Sequence, residues 1–171
     1  MEFLKIIAGC IVAAVLYGIA HDQVTARIYL PYFTVFHPPI FHTQSPTLQA
    51  LGWGIIATWW MGAFLGFLLA MACRLGPSPK LDLVDVLRHI GVLLLVMAAT
   101  ATVCGVIGFF WGSIPQDMTG LLSHAAERRF LADWWAHNAS YASGFVGALV
   151  VCILALEKRG RTRDSRVIAN V

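Results

Sequence analysis

Residues 90–111 read IGVLLLVMAATATVCGVIGFFW, a stretch without a single charged side chain. A helix rises about 1.5 Å per residue, so a stretch of this length crosses the roughly 30 Å hydrocarbon core of a bilayer. Three other apolar runs approach it in length, and the predicted spans are 3–20, 46–72, 89–111 and 140–156. The sequence therefore predicts an all-α membrane protein, a four-helix transmembrane bundle in a single integral membrane domain over residues 1–171.

The composition of the whole chain also indicates a membrane protein. Hydrophobic residues make up 58% of the chain, charged residues only 12%, and the mean hydropathy is +0.73. These values leave too little polar surface to cover a soluble globule of 171 residues. The formal net charge is only +3, so we expect no nucleic-acid partner for the basic tail.

Lysine and arginine lie mostly on one side of the predicted spans. Of the 12 in the chain, all but Arg27, Arg128 and Arg129 belong to the N-terminus, the 73–89 connection or the tail 157–171. Such residues concentrate in cytoplasmic segments. The distribution predicts that both termini are cytoplasmic and that loops 21–45 and 112–139 form a small cap on the outer face.

Local signals predict where several elements begin. Ser45-Pro46 and Ser78-Pro79 each combine a capping residue with a proline suited to the first helical position, and both predict helix starts. Residues 32–36 are rich in strand formers and predict a short extended or hairpin element. Residues 121–139 have apolar residues near helical spacing and predict a separate helix on the membrane surface.

The backbone of residues 21–30 has two possible conformations. If the first helix continues toward Leu30, His21 meets Thr25 and Gln23 meets Arg27 at a spacing of four residues. If the chain is extended, Gln23, Thr25 and Arg27 share one face instead.

Histidine is concentrated in the predicted outer loops. Of the 6 histidines, only His89 lies on the other side. Imidazole is the commonest metal ligand, so the histidines of these loops indicate a divalent metal as the one candidate cofactor. No HExxH or HxH spacing supports it, and ordinary interfacial histidines are the alternative. The metal-ligand candidates are His21, Asp22, His37, His42, His124 and His137.

A wider candidate polar site follows from the titratable and hydrogen-bonding side chains of both loops. Its members are His21, Asp22, Gln23, Thr25, Arg27, His37, His124, Glu127, His137 and Tyr141. His137 lies four residues from both Asp133 and Tyr141, a helical spacing that can orient an imidazole for acid/base chemistry. No catalytic residue is assigned by this pattern.

The first loop resembles that of a family of bacterial multi-pass membrane proteins without an assigned activity. The shared positions are Tyr17-Gly18, His21-Asp22-Gln23, Thr25, Arg27, Tyr32-Phe33-Thr34, His37-Pro38, Leu51-Gly52-Trp53-Gly54 and Thr58-Trp59-Trp60. The resemblance implies a location in the bacterial inner membrane and implies nothing catalytic.

Small residues recur at helical spacing inside the predicted spans. They are Gly62, Gly66, Gly108, Gly112, Ser140, Gly144 and Ala148. In lipid, such residues let helix backbones approach closely, either inside one bundle or between two copies of the chain. The 4 cysteines lie far apart without a CxxC motif, so we expect no disulfide framework and no thiolate metal cluster.

Three classes of function remain open. The leading hypothesis is a non-enzymatic component that binds a protein or lipid partner through its outer loops, the partner being membrane lipid, another membrane protein or a second copy. The alternative is a metal- or acid/base-dependent enzyme with its site on the outer face, which convergence of three candidate side chains would favour. A channel or carrier is the third. It requires a polar path through the bundle, and only Thr100 and Thr102 give it modest support.

Overall fold

The computed structural model describes residues 1–114, 116 and 120–169, with side chains through residue 163. This part of the chain is helical and contains no strands. Its helices are α1 (Glu2–Ile28), α2 (Pro31–Thr34), α3 (Pro46–Ile56), α4 (Trp59–Arg74), α5 (Leu83–Trp111) and α6 (His124–Ala169). Parts of the predicted second loop and tail, residues 115, 117–119 and 170–171, lie outside the described residues.

Four segments are long and apolar enough to cross a membrane, which confirms the predicted fold class. They are Glu2–Ile28, Pro46–Arg74, Leu83–Trp111 and His124–Arg163. The second consists of α3 and α4 together, separated by Ala57 and Thr58.

The bundle is built from two helix pairs. Helix α1 packs along α3 and α4, α5 packs along α6, and α4 joins the pairs through α6. By comparison, α1 and α5 meet over few residues. The two longer connections lie at the same end of this bundle, which we call the cap end. There, Phe33 from the first connection packs in one buried cluster with Trp53 of α3 and with Phe130 and Leu131 of α6.

Helix α1 is longer than the span predicted for it. It continues to Ile28, so residues 21–28 of the predicted first loop are helical. The guanidinium of Arg27 donates to Oε1 of Gln23 at 2.6 Å, the four-residue contact of the helical alternative. The polar residues 21–27 therefore lie on the last turns of a helix, not in a loop.

The extended element predicted over residues 32–36 is wrong. Pro31 occupies the first position of α2, and the amide of Val35 donates to the carbonyl of Pro31 at 2.9 Å. Proline is preorganised for the first helical turn, and this local bonding outweighs the β propensity of the aromatic residues.

One of the two predicted helix starts is correct. Ser45 caps α3 by accepting a hydrogen bond from the amide of Leu48 at 3.4 Å. The start predicted at Ser78-Pro79 is wrong, because α5 begins at Leu83. A reciprocal capping box between Asp82 and Asp85 satisfies the first amides of that helix and sets its start.

The helix predicted over residues 121–139 is confirmed from His124 onward, but it is not a separate helix on the membrane surface. Helix α6 is continuous from His124 through the predicted fourth span and into the tail. Phe130, Leu131 and Asp133 are buried inside the protein, so this part of α6 belongs to the bundle. An amphipathic pattern does not distinguish a helix buried under a cap from one that lies on lipid.

Candidate functional site

Helices α1 and α6 bring three candidate residues together near the cap end. His21, Asp22 and His137 each offer a ligand atom that lies within 4.8 Å of the other two. Oδ1 of Asp22 lies 3.2 Å from Nε2 of His137, and these side chains are only 7% and 13% exposed. We call these three residues the His–Asp cluster. It is the one such group among the described residues.

The ring of His137 has a defined hydrogen-bonding state. Its Nδ1 lies 2.7 Å from the backbone carbonyl of Asp133, and because a carbonyl only accepts, Nδ1 carries the hydrogen. In the neutral ring, Nε2 then presents a lone pair toward the Asp22 carboxylate, which is an acceptor when ionised. Two acceptors at this distance require a proton or a cation between them.

Of the two imidazole rings in the cluster, that of His21 has fewer hydrogen-bond partners. It packs edge-on against His137, with ring centroids 4.6 Å apart, and stacks on Tyr17 at 5.8 Å. Its Nε2 is buried and has no hydrogen-bond partner among the described residues. Buried polar atoms are nearly always paired, so an unpaired one marks a position open to a ligand.

Aromatic side chains wall the His–Asp cluster. Tyr32 stacks on His137 with centroids 4.7 Å apart, and His37 packs between Tyr32 and Trp53. Nδ1 of His37 donates to the carbonyl of Tyr32 at 2.7 Å. Burial lowers the pKa of His37 and raises the pKa of Tyr32, so both side chains are neutral near pH 7.

Asp133 contributes to the site through its backbone. Its carboxylate is fully buried, and neither oxygen has a partner among the described residues. The spacing of Asp133 and His137 predicted an oriented imidazole, and the orienting group is the Asp133 carbonyl rather than its carboxylate.

An internal cavity of about 170 Å³ extends from the His–Asp cluster into the bundle. The cluster and His37 line one end, and apolar side chains such as Leu69 and Val151 line the other. Along α1 its wall runs from His21 to Cys10, roughly 17 Å of helix. The cavity is thus long, narrow and polar at one end only.

A second space of about 570 Å³, the side groove, lies between α1 and the α5–α6 pair. Its walls include Val24, Thr102 and Val106, which are exposed on the outside of the bundle. His21 lines both the side groove and the internal cavity. The side groove therefore adjoins the His–Asp cluster at His21.

Three other predicted site residues make hydrogen bonds beside the cluster, and two of them join α1 to α3. The guanidinium of Arg27 donates to Oγ1 of Thr47 at 2.8 Å, and Nε2 of Gln23 donates to the Thr47 carbonyl at 3.3 Å. The buried hydroxyl of Thr25 donates to the carbonyl of His21 at 3.3 Å. Gln23 and Arg27 thus fix α1 against α3 beside the cluster.

The remaining candidates lie elsewhere. His42 and His124 are exposed, and neither they nor Glu127 belong to the His–Asp cluster. The hydroxyl of Tyr141 donates to the carbonyl of Ala57 at 3.3 Å, where α3 gives way to α4. Tyr141 also lines the internal cavity.

The small residues lie mostly where helices approach within this one chain. A side chain at Gly62 or Gly66 would meet Cys10 of α1, and one at Gly108 would meet Leu131 of α6. Gly144 faces Met97, Ala148 is buried, and Gly112 ends α5. The hydroxyls of Ser140 and Tyr17 are 2.8 Å apart.

Three aromatic residues of the site are absent from the candidates predicted from the sequence. Tyr17, Tyr32 and Trp53 all line the internal cavity. Tyr17 lies four residues before His21, so a helical α1 predicts their shared face. Tyr32 and Trp53 reach the site through the fold of the first connection, for which no spacing gives a signal.

Comparison of the chain with family models, curated proteins and solved structures finds no match. The resemblance of the first loop to a bacterial membrane family therefore stays a prediction. The function is inferred from the geometry of the site.

Proposed function

We propose that this protein binds a membrane amphiphile, with its polar end at the His–Asp cluster and its hydrocarbon chain in the internal cavity. The observation that carries this proposal is the distribution of polar groups along that cavity. The His–Asp cluster, His37 and several hydroxyl side chains line the part toward the cap end, and the remainder is lined by apolar side chains and the thiol of Cys10. A lipid-like molecule has the same division, and mostly apolar pockets with a few convergent polar groups are typical ligand sites.

The dimensions of the cavity favour a single hydrocarbon chain. It follows α1 for roughly 17 Å, from His21 to Cys10, yet its volume is only about 170 Å³. Its walls supply apolar contacts along the length of the chain and a hydrogen-bonding end for the head.

The side groove supports entry from within the bilayer. It opens between α1 and α5, which meet over few residues, and it reaches His21. An amphiphile that moves laterally keeps its chain in an apolar environment throughout. Entry by this route requires no polar channel through the bundle.

The orientation in the membrane is part of the proposal. The excess of lysine and arginine away from the cap end supports cytoplasmic termini and an outer cap. The resemblance of the first loop supports the inner membrane of a bacterium. The amphiphile would then be taken from the outer leaflet.

A metal- or acid/base-assisted reaction is the second candidate function. The convergence of His21, Asp22 and His137 favours it, because three converging ligand side chains are typical of a metal or acid/base site. A channel has no such support. The hydroxyls of Thr100 and Thr102 donate to the carbonyls of Val96 and Ala98 in their own helix.

Native mass spectrometry of protein released from membranes into mild detergent tests the binding proposal. We expect one amphiphile to remain bound per wild-type chain. Gly144 lines the cavity, so Gly144→Leu should remove the bound molecule. Ala142 is exposed two residues earlier on α6, and Ala142→Leu should retain it.

The cavity-filling effect is checked with a second variant. Leu94→Trp fills the same cavity from α5 and should also remove the amphiphile if Gly144→Leu fails to fold. Wild-type protein without a bound amphiphile would contradict the proposal. So would folded Gly144→Leu or Leu94→Trp protein that binds it as the wild type does.

A further inference from the structure

We infer that His21, Asp22 and His137 bind one divalent first-row transition-metal ion, such as Zn²⁺, and leave one coordination position open toward the internal cavity. This site does not require the amphiphile and goes beyond the proposed binding function. The donors are two imidazole nitrogens and one carboxylate oxygen, a set found in three-ligand zinc sites.

The distances suit an ion of this size. Bonds of about 2.0–2.2 Å in a tetrahedral arrangement place ligand atoms about 3.4 Å apart. Oδ1 of Asp22 and Nε2 of His137 are 3.2 Å apart, and all three ligand atoms lie within 4.8 Å of one another. The third donor is a ring nitrogen of His21, which lies within the same 4.8 Å and has to approach the ion by rotation of its side chain.

The surroundings of His137 are those of a metal ligand. A metal-bound histidine usually donates its other ring N–H to a carbonyl or carboxylate, which fixes the tautomer and the ring. Nδ1 of His137 donates to the Asp133 carbonyl at 2.7 Å, and Tyr32 stacks on the ring face. Its Nε2 lone pair is therefore held in place and directed at Asp22.

A shared proton explains the site less completely than a metal ion does. One proton between Asp22 and His137 satisfies that pair and leaves Nε2 of His21 buried without a partner among the described residues. A divalent cation engages all three groups at once and compensates the buried negative charge of Asp22. A proton and a cation both remove the cost of burying the carboxylate, so the Nε2 of His21 that has no partner among the described residues is the observation that favours the cation.

The donor set also selects the class of metal. Ca²⁺ and Mg²⁺ take oxygen ligands almost exclusively, whereas imidazole with one carboxylate suits Zn²⁺ and neighbouring transition metals. Three protein ligands leave a fourth position, as in zinc sites that act on a bound molecule. In this protein the fourth position faces the cavity that the three residues line.

Co²⁺ is the probe for this site, because its visible d–d bands report tetrahedral coordination. Full-length protein, freed of any histidine tag, is purified in detergent, stripped with a chelator and titrated with Co²⁺ alone. We expect one equivalent to bind with tetrahedral bands, Zn²⁺ to displace it, and Mg²⁺ to have no effect.

Variants of the three ligands test the assignment. His21→Ala, Asp22→Asn and His137→Ala should each weaken Co²⁺ binding by roughly 100-fold or more, since even loss of a supporting hydrogen bond costs about 10- to 100-fold. Asp22→Asn keeps the shape of the side chain, so it remains informative if an alanine variant fails to fold. The controls His42→Ala and His124→Ala change exposed histidines outside the cluster and should bind as the wild type does.

Two results would overturn the inference. One is a folded wild-type protein that takes up no Co²⁺, and the other is a folded Asp22→Asn variant with unchanged affinity. Native mass spectrometry of the same preparations measures separately whether the amphiphile is bound. Wild-type protein that retains the amphiphile but takes up no Co²⁺ refutes the metal site alone, and wild-type protein that binds Co²⁺ but no amphiphile refutes only the proposed lipid binding.

Discussion

Asp22 on α1 and His137 on α6 form a buried contact between helices, with Oδ1 and Nε2 at 3.2 Å. It joins the two helix pairs of the bundle near the cap end, where α1 otherwise meets α6 over few residues. The Asp133 carbonyl and the Tyr32 ring hold the imidazole in its orientation. This one contact therefore serves both the stability of the bundle and the geometry of the proposed metal site.

Removing the carboxylate of Asp22 should destabilise the protein. In Asp22→Ala, Nε2 of His137 loses its partner in a buried site, which costs on the order of 1–3 kcal/mol of unfolding free energy. Thermal melting in detergent measures the loss. A double-mutant cycle with His137→Ala should give a coupling energy of at least about 0.5 kcal/mol, and additive effects would show that the two side chains do not interact.

Arg27 is the matched control for Asp22. Its side chain is exposed, and its hydrogen bonds to Gln23 and Thr47 compete with water. Arg27→Ala should therefore cost less than about 1 kcal/mol, well below the effect of Asp22→Ala. An equal loss in both variants would mean that burial is not what makes the Asp22 contact strong.

Close approach of α1 and α3 should make Gly54 intolerant of any side chain. A Cβ at Gly54 would lie 2.5 Å from the backbone nitrogen of Ile19, and a backbone cannot move aside like a flexible side chain. Gly54→Ala should lower stability by about 1–3 kcal/mol. A Cβ at Gly91 would meet no atom within 4 Å, so Gly91→Ala should be neutral or slightly stabilising in the same melting assay.

The membrane class and the four spans follow from the sequence because length and hydropathy decide both. Helix ends are less predictable. Residues 21–28 are polar enough to resemble a loop, yet the α1 backbone bonds continue through them. A fully helical first segment would have placed Tyr17, His21 and Thr25 on one face and revealed part of the site from spacing alone.

The pairing of Asp22 with His137 could not be predicted from the sequence. These residues are 115 positions apart, and no local pattern encodes how α1 meets α6. Arg159 shows the same limitation. Its position in a basic tail predicted a cytoplasmic charge, whereas its guanidinium is buried and bonded to backbone carbonyls. Long-range contacts depend on how the helices pack, which one sequence does not state.

Stability should fall as the pH drops below the ordinary pKa of histidine, partly through His37. Burial lowers the pKa of His37, with Asp22, His137 and the Tyr32 carbonyl as its polar neighbours. Below about pH 6.5 the unfolded chain takes up a proton that folded His37 does not, which favours unfolding. The melting temperature of His37→Gln should therefore decline less between about pH 7 and pH 5, and an identical decline would exclude His37 as a contributor.

The proposed orientation predicts the labelling of single cysteines by an impermeant thiol reagent. In a variant without native cysteines, Gln44→Cys lies in the exposed first connection and should react in intact cells. Arg163→Cys lies on exposed α6 at the opposite end and should react only after the membrane is opened. The reverse pattern would place the cap in the cytoplasm and the amphiphile in the other leaflet.

Arg159 should be the most sensitive charged residue away from the His–Asp cluster. The residue is only 3% exposed, and its guanidinium donates to the carbonyls of Pro79 at 2.7 Å and Leu75 at 2.6 Å, with further bonds to Ala72 and Ser78. These bonds satisfy carbonyls at the end of α4 and in the connection that follows it.

Arg159→Ala should therefore lower the unfolding free energy by at least about 2 kcal/mol, because hydrogen bonds to a charged donor are worth about 1.5–3 kcal/mol each. Arg159→Lys should rescue little, since a single ammonium cannot reproduce the planar fork of donors. Arg161 is exposed and pairs with Glu157 at 3.4 Å, so Arg161→Ala should change stability by less than about 0.5 kcal/mol. Equal melting temperatures for Arg159→Ala and Arg161→Ala would show that the carbonyls are satisfied equally well by water and that α4 needs no cap from α6.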